Sequence, residues 1–415
     1  MSLHHIDRAL VASRIEDLSR IGRVGETGVT RTVYSPEWVT ANDLLERWMI
    51  GAGLAVRRDA VGNLWGTLAG TDGGAAIVSG SHVDSQAPGG KYDGALGIIS
   101  ALTAVEVLHE AYGAPRQTVE VVSLCEEEGS RFSSASFWGS RAILGLIKPE
   151  DVEGTRGYVD ESIGDAMRAI GLDPDLIPTA KRDDIETFIE MHIEQGPILE
   201  AAELPVGIVT AITGYRHYVV EISGQANHAG AFPMAMRKDP MALAAQLITE
   251  VRANAIHMGA PAVTTVGRIQ VQPNYPAIIP ERVMFMIDAR HPDPDQRMEL
   301  YRRHEATLDR AAETSGMTLT WRFNKDLPPR PCDPALVDLL GQVASDLDIP
   351  HQRMTSGAVH DTQRFGQIAK TAMIFVQSKD GRSHTPEEFT ATEDAALGIE
   401  VLAEGLRRLA WGTNR

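Results

Sequence analysis

Histidine, aspartate and glutamate gather in four short stretches of this chain, each close to an apolar run that reads as a strand or to glycine. The densest is Ser81-His82-Val83-Asp84-Ser85, followed by Gly89-Gly90-Lys91-Tyr92-Asp93-Gly94. On an extended segment His82 and Asp84 point to the same side, being two residues apart. An imidazole that binds a metal through one nitrogen needs a carboxylate or carbonyl on the other, so Asp84 is a candidate to orient His82. Asp93 stands among glycines, where backbone can approach an ion closely. Ordinary explanations also fit: Asp93 as a turn residue or N-cap, His82 as a hydrogen-bonded strand-end histidine. The second stretch is Cys125-Glu126-Glu127-Glu128-Gly129-Ser130-Arg131-Phe132. Three adjacent glutamates repel one another unless cations or solvent stabilise them. A solvated acidic loop fits poorly with the apolar strand before and Phe137-Trp138 after. The third, Met191-His192-Ile193-Glu194-Gln195-Gly196-Pro197, closes a strand, and the fourth, Ser383-His384-Thr385-Pro386, lies in a loop. None is specific singly. Together they set metal-binding residue types at four strand ends, as a hydrolytic metal site requires.

Elements must hold these stretches in place. Ser35-Pro36 reads as an N-cap with proline at the first helical position, opening a helix to about residue 51. Residues 54–56 and 63–68 read as strands around a turn at 59–62, and 75–79 as a buried strand. From residue 94 to about 108, Leu96, Ile99, Leu102 and Val105 recur at helical spacing. Further strands are expected at 118–125 and 187–193. Open α/β sheets bind ligands beyond the carboxyl ends of their strands, which is where the glutamate triplet falls. This alternation predicts an α/β sheet with helices on its faces. Near residue 212 the style changes, giving strands at 215–223, 263–271, 282–288 and 317–323 with helices at 240–257 and 294–315. The order β-α-β-β-α-β is that of a ferredoxin-like unit. After Pro328-Pro329-Arg330-Pro331 the first style resumes, with a helix from Pro334, a strand at 371–376 and a last helix near Thr392. The chain therefore reads as a metal-binding domain of residues 1–211 and 329–415, interrupted by an inserted domain of residues 212–328.

With 415 residues, 43% of them hydrophobic and 23% charged, the chain suits a two-domain globular protein. Acidic residues outnumber basic ones by 56 to 39, for a formal charge of −17, which argues against a nucleic-acid partner. No apolar run approaches the roughly 20 residues of a membrane span. The first eight residues lack the apolar core of a signal peptide, and Cys125 and Cys332 are too few for a disulfide framework, so a cytoplasmic location is expected. His109, His257 and His304 fall in expected helices, and His4, His5, His291 and His351 in polar contexts; none is assigned a function.

The combination resembles the dinuclear zinc amidohydrolases of the aminoacylase and carboxypeptidase G group, and most closely their hydantoinase/carbamoylase branch. That branch includes N-carbamoyl-L-amino-acid hydrolases, allantoate amidohydrolases and β-ureidopropionases. GSHVDS, GGKYDG, EEEGSRF, MHIEQGP, NHAG and SGAVHD carry the resemblance, which covers essentially the whole chain. MHIEQGP is informative because much of the wider peptidase group has a carboxylate where this chain has His192. The resemblance implies a zinc-peptidase-like α/β catalytic domain, with a mixed sheet flanked by helices, and an inserted ferredoxin-like α+β lid or dimerisation domain. It further implies two divalent ions, zinc first, with manganese, cobalt or nickel as alternatives. Asp93 would bridge them, His82 and His192 would complete one, and Glu128 with His384 the other. Glu127 would be the general base for the shared water. Glu126 receives no role, and a one-residue slip between base and ligand is the open alternative.

The inserted domain has its own candidates. Arg290, at a strand end, can bind a substrate carboxylate bidentately, with a surface ion pair as the ordinary explanation. By the resemblance, His228 donates to the oxyanion, from a closed lid or a partner subunit, while His217 and Asn274 contact substrate with Gln195 nearby. Gly357 and His360, in SGAVHD, line the pocket or form a well-packed turn. The expected reaction is hydrolysis of a ureido C–N bond in a small carboxylate-bearing substrate, such as an N-carbamoyl-L-amino acid or allantoate, by a homodimer. The alternatives are an aminoacylase or dipeptidase of the same group, and a non-catalytic amino-acid-binding module. Every expected catalytic position is filled, which speaks against the last.

Overall fold

Short apolar runs with little alternation must be buried on both faces, and here they become the centre of a sheet. The computed structural model describes residues 6–412, so His4 and His5 lie outside the described residues. Two compact units form, the first from residues up to Thr210 with Cys332–Met354 and the chain from His360 onward. Its sheet runs in the order Val206–Ile212, Lys370–Val376, Ile185–Ile193, Ala76–His82, Val119–Leu124, Leu64–Leu68, Ala55–Arg58. The four strands from Lys370–Val376 to Val119–Leu124 are parallel, and those outside them pair antiparallel. The four parallel strands therefore deliver their carboxyl ends, at His82, Leu124, Ile193 and Val376, to one edge.

Helices cover this sheet. Pro36–Gly51 starts as its sequence requires, with the Ser35 hydroxyl accepting the Trp38 N–H and Pro36 at the first position. Ala95–Tyr112 is long and apolar enough to cross a membrane by length and composition. It is instead an interior helix, buried from Ala95 to Val105 and packed against Ala76–His82 and Thr392–Leu406.

The second unit comprises Ala211–Pro331 and Thr355–Val359. Its antiparallel sheet has the order Val263–Gln272, Arg282–His291, Gly214–Ser223, Thr318–Leu327, with helices Pro240–Met258 and Pro294–Thr314. Numbered along the chain, that order is 2-3-1-4, the ferredoxin-like arrangement. The core lies between sheet and helices, from Tyr218, Val220, Ile222, Phe285 and Ile287 to Leu247, Val251, Leu300 and Leu308. Residues 355–359 belong here because Thr213 N–H donates to the Ser356 carbonyl and Arg290 to that of Gly357.

His304 is buried within this unit, its ring nitrogens facing Asn254 at 3.2 Å and Thr264 at 2.9 Å. Burial disfavours the charged imidazolium and lowers its pKa to about 4. A base whose folded pKa is depressed binds fewer protons folded than unfolded, so its stability contribution is whole above the ordinary value of 6.5. That contribution shrinks as pH falls from there through about 4. Unfolding free energies of the parent, read from denaturant titrations, should fall across this window more steeply than those of His304→Gln, by an amount on the order of 3 kcal/mol at most.

Candidate metal centre

Each stretch of candidate ligands sits where a strand stops and its last side chains meet a loop. His82 is the final residue of Ala76–His82, and His192 the penultimate one of Ile185–Ile193. Glu127 and Glu128 follow Val119–Leu124, and His384 lies between Lys370–Val376 and Thr392–Leu406. Asp93 comes back to the same place through the loop after His82, just before the helix at Ala95. Gly94, at φ 64°, occupies the N-cap position, and a Cβ there would overlap the His82 ring. Asp93 is therefore not a capping residue; glycine beside it lets helix start and imidazole share the space.

The five candidate ligands converge. One Asp93 oxygen, Oδ1, lies 3.6 Å from His82 Nε2 and 3.3 Å from His192 Nε2. The other, Oδ2, lies 3.5 Å from His384 Nε2, which is 3.4 Å from Glu128 Oε2. Two groups able to hold an ion thus share Asp93: His82 with His192, and Glu128 with His384. The imidazole tautomers agree with this. His82 Nδ1–H donates to the Asp84 carbonyl (3.0 Å) and His192 Nδ1–H to that of Ile193 (2.9 Å), leaving both Nε2 lone pairs facing inward, that of His192 also accepting the Gly94 N–H at 3.2 Å. Glu127 Oε2 is 3.8 Å from His82 Nε2, alongside the cluster. His360 packs its ring edge-on against His192, 4.6 Å between centroids.

Burial makes this arrangement costly without cations. Desolvation, with Glu128, Asp361, Asp84 and Asp93 nearby, pushes the Glu127 carboxyl well above the usual range. Desolvation and Asp93 do the same to Glu128. Asp93 goes the other way: burial opposes its ionisation, but positive charge on His192, His82 and His384, present when those rings are protonated, more than offsets that and holds it well below the usual range. Glu128 Oε1 is buried with no hydrogen-bond partner. A buried acceptor left unmatched, in a ring of carboxylates and inward-facing imidazole lone pairs, fits divalent cations by its donor chemistry.

Several neighbours support this core. The Asp84 side chain does not contact His82 as the spacing suggests, its nearest oxygen being 3.8 Å from Nδ1. The strand ends at His82, so the alternation of an extended chain no longer applies, and the carbonyl takes that contact. The Asp84 carboxylate instead accepts the backbone N–H groups of Glu127 (3.3 Å) and Glu128 (3.1 Å), fixing the loop that presents them. Glu126 turns away, its Oε1 accepting the Phe132 N–H. Gln195 donates to Asp93 Oδ2 at 2.7 Å. Glu388 is a residue that motif spacing does not reveal. Its buried Oε1 accepts the N–H groups of Tyr92 (2.8 Å) and Asp93 (2.9 Å). Ser383, beside His384, donates to Asp93 Oδ2 and reaches Glu388 Oε2. Gly90 is needed too, since a Cβ there would strike the Glu388 carboxylate.

The second unit holds the remaining candidates. His228 is exposed, and its Nδ1 accepts the N–H groups of Gly230 and Ala231, both at 3.0 Å. A neutral imidazole so held carries its proton on Nε2 and presents it as a donor. Asn274 is exposed, with φ 59°. Arg290 forms the ion pair that was its ordinary explanation, with Nε and Nη2 on the two Asp288 oxygens (2.8 and 2.9 Å) and Nη1 on the Gly357 carbonyl. His217 Nε2 also meets Asp288, at 2.9 Å. Burial would raise the Asp288 pKa, but His217 and Arg290 outweigh it and hold it at about 2.

Residues 80–408 match the profile of peptidase family M20/M25/M40. The chain is 37% identical over 402 residues to an allantoate amidohydrolase of Bacillus subtilis, covering 97% of each protein. It is 38% identical over 402 residues to an N-carbamoyl-L-amino acid amidohydrolase of Geobacillus stearothermophilus, covering 96% of this chain and 98% of that relative. An amidase of the hydantoinase/carbamoylase family from Burkholderia multivorans has a similar solved structure, with a TM-score of 0.90 at 32% identity over 97% of each chain.

Removing the Glu388 carboxylate should loosen the segment that carries Asp93 without emptying the core. Glu388→Ala is expected to weaken metal retention by about 10–100-fold, the usual effect of losing a supporting partner. Metal analysis after dialysis against graded chelator measures this, with circular dichroism reporting an unchanged fold. Glu388→Gln keeps an acceptor for the amides and should lose less.

Proposed function

The chain belongs to peptidase family M20/M25/M40, and from that premise we propose that it hydrolyses the ureido C–N bond of a small carboxylate-bearing substrate. It is an amidohydrolase acting on C–N bonds, as its curated relatives are. An N-carbamoyl-L-amino acid or allantoate is the substrate in this reading. The observation that carries it is Asp93 shared between two ligand groups, with the buried carboxylate of Glu127 beside them. Two divalent ions at these groups, zinc first and manganese, cobalt or nickel as alternatives, would polarise the scissile carbonyl and make water a nucleophile near neutral pH.

The chain's own groups do the rest. Glu127, buried beside the ligand groups, takes the proton of the attacking water and delivers it to the leaving nitrogen. Glu128 is grouped with Asp93 and His384, and Glu127 falls in neither ligand group, which supports Glu128 as the ligand and Glu127 as the base. His228 supplies an Nε2–H for the oxyanion of the tetrahedral intermediate, its tautomer set by two backbone amides. Arg290 recognises the substrate carboxylate, with His217, Asn274 and Gln195 as neighbouring contacts. Gly357 and His360 contribute to the shape of the pocket. Water adds to the ureido carbonyl, the C–N bond breaks with proton transfer to nitrogen, and the carbamate released decomposes to carbon dioxide and ammonia.

A homodimer formed through the second unit is part of the reading. Its support is the edge strand Val263–Gln272, which exposes Val263 and Ile269. Light scattering should then report about two chain masses at micromolar concentration; a monomer there removes this element.

A substrate panel tests the reaction: allantoate, several N-carbamoyl-L-amino acids, N-carbamoyl-β-alanine and an N-acetyl amino acid, each with and without chelator. A ureido acid should be turned over fastest and lose turnover with chelator; preference for the N-acetyl acid sinks the ureido reading. Glu127→Gln should keep the metal content of the parent and lose about 10²–10⁴-fold in kcat. Full activity in that variant would show that another group is the base.

A further inference from the structure

Asp288 and Arg290 are two residues apart on Arg282–His291, and the intervening Ala289 and preceding Ile287 are in the core. Both side chains therefore leave the sheet on the face away from the helices. The neighbouring strand is in register with them, His217 opposite Asp288 and Tyr215 opposite Arg290. Since Tyr218 and Val220 point into the core, His217 and Tyr215 share the same outer face. The four side chains form a square on the sheet, with the Arg290 guanidinium 5.6 Å over the Tyr215 ring and that ring 4.7 Å from His217.

Asp288 holds two corners of the square together. One of its oxygens accepts Arg290 Nε–H at 2.8 Å, and the other accepts Nη2–H at 2.9 Å and faces His217 Nε2 at 2.9 Å. The Gly357 carbonyl accepts a hydrogen bond from Nη1 at 3.0 Å. A guanidinium has five N–H groups. These three contacts leave one on each terminal nitrogen. A carboxylate arriving from outside cannot take the Nε/Nη2 edge, because Asp288 occupies it.

We propose that Asp288 is a specificity-determining positioning residue, which holds Arg290 so that only its terminal nitrogens meet the substrate's carboxylate. This rests on the reading of Arg290 as the carboxylate anchor. Asp288 compensates most of the Arg290 charge, so recognition depends on where the two remaining N–H groups point rather than on net positive potential. Held in the fork, the long side chain does not have to give up its rotamer freedom when substrate binds. An arginine released from Asp288 could still attract anions, but it would follow them in several geometries. Discrimination between an acid and its neutral amide, which turns on placement of those two donors, would be lost.

The test compares the best ureido acid with its carboxamide on parent, Arg290→Ala, Asp288→Asn and the double variant. In Asp288→Asn the amide nitrogen faces a guanidinium donor, so the two-point fork cannot persist. The expected result is a KM for the acid raised about tenfold or more, kcat within about threefold, and the preference for acid over amide largely gone. The double variant should lose no more than Arg290→Ala does alone. If Arg290→Ala keeps the preference for the acid, the anchor reading itself fails. If Arg290→Ala abolishes the preference and a folded Asp288→Asn of parental metal content keeps it, the positioning proposal is overturned. A fall in kcat with KM unchanged in Asp288→Asn overturns it equally. Should Asp288→Asn not fold, Asp288→Ser is put through the same comparison and decides it by the same outcomes.

Discussion

Asp93, Glu127 and Glu128 are carboxylates pressed together beside three imidazoles, with few hydrogen-bond donors among their neighbours. Their mutual repulsion, sharpened by desolvation, is the constraint around which the first unit is built. Asp84 spends its carboxylate on the amides of Glu127 and Glu128, and Glu388 on those of Tyr92 and Asp93. Both hold backbone, so the side chains of the cluster stay turned inward where cations would relieve the repulsion. The surrounding strands are buried on both faces and give the loops a rigid edge from which to project.

Backbone conformation shows the same constraint. Glu126, Gln195 and His384 all take positive φ, between 51° and 59°. Such conformations disfavour residues with a Cβ and persist where the surroundings over-determine them. At Glu126 the turn sends one carboxylate away from the cluster and the next two toward it. At Gln195 and His384 it brings an amide and an imidazole to the two sides of Asp93 Oδ2.

The candidate ligands were legible because they stand in dense local words at the ends of apolar strands. His82, Asp93, Glu128, His192 and His384 each sit next to a sequence signal for where a strand or loop lies. Glu388 was not legible, since its partners are backbone amides almost three hundred positions away and any residue can supply an amide. Asp84 misled in detail, because the alternation rule ends with the strand. The run Val206–Ile212 is apolar but for Thr210, yet only Thr213 separates it from Gly214–Ser223, and the two strands merge into one stretch of pattern. In the second unit the pairing of Asp288 with Arg290 had a signal after all: two opposite charges two residues apart on an alternating strand must share a face.

The discontinuous sheet of the first unit also bears on how the chain can assemble. Ile185–Ile193 receives its parallel neighbour Lys370–Val376 only from the far side of the inserted segment, and the His384 loop follows that neighbour. Parallel pairing at such separation is slow, because the chain must close a long loop before any contact rewards it. The second unit closes shorter loops than that: Val263–Gln272 and Arg282–His291 are joined by a short connection, and Gly214–Ser223 pairs with Arg282–His291 and Thr318–Leu327. If it forms first, it shortens the gap that the outer segments must bridge. The last candidate ligand to arrive is then His384, the one nearest the C-terminus, so the five would come together only once the whole first unit has assembled.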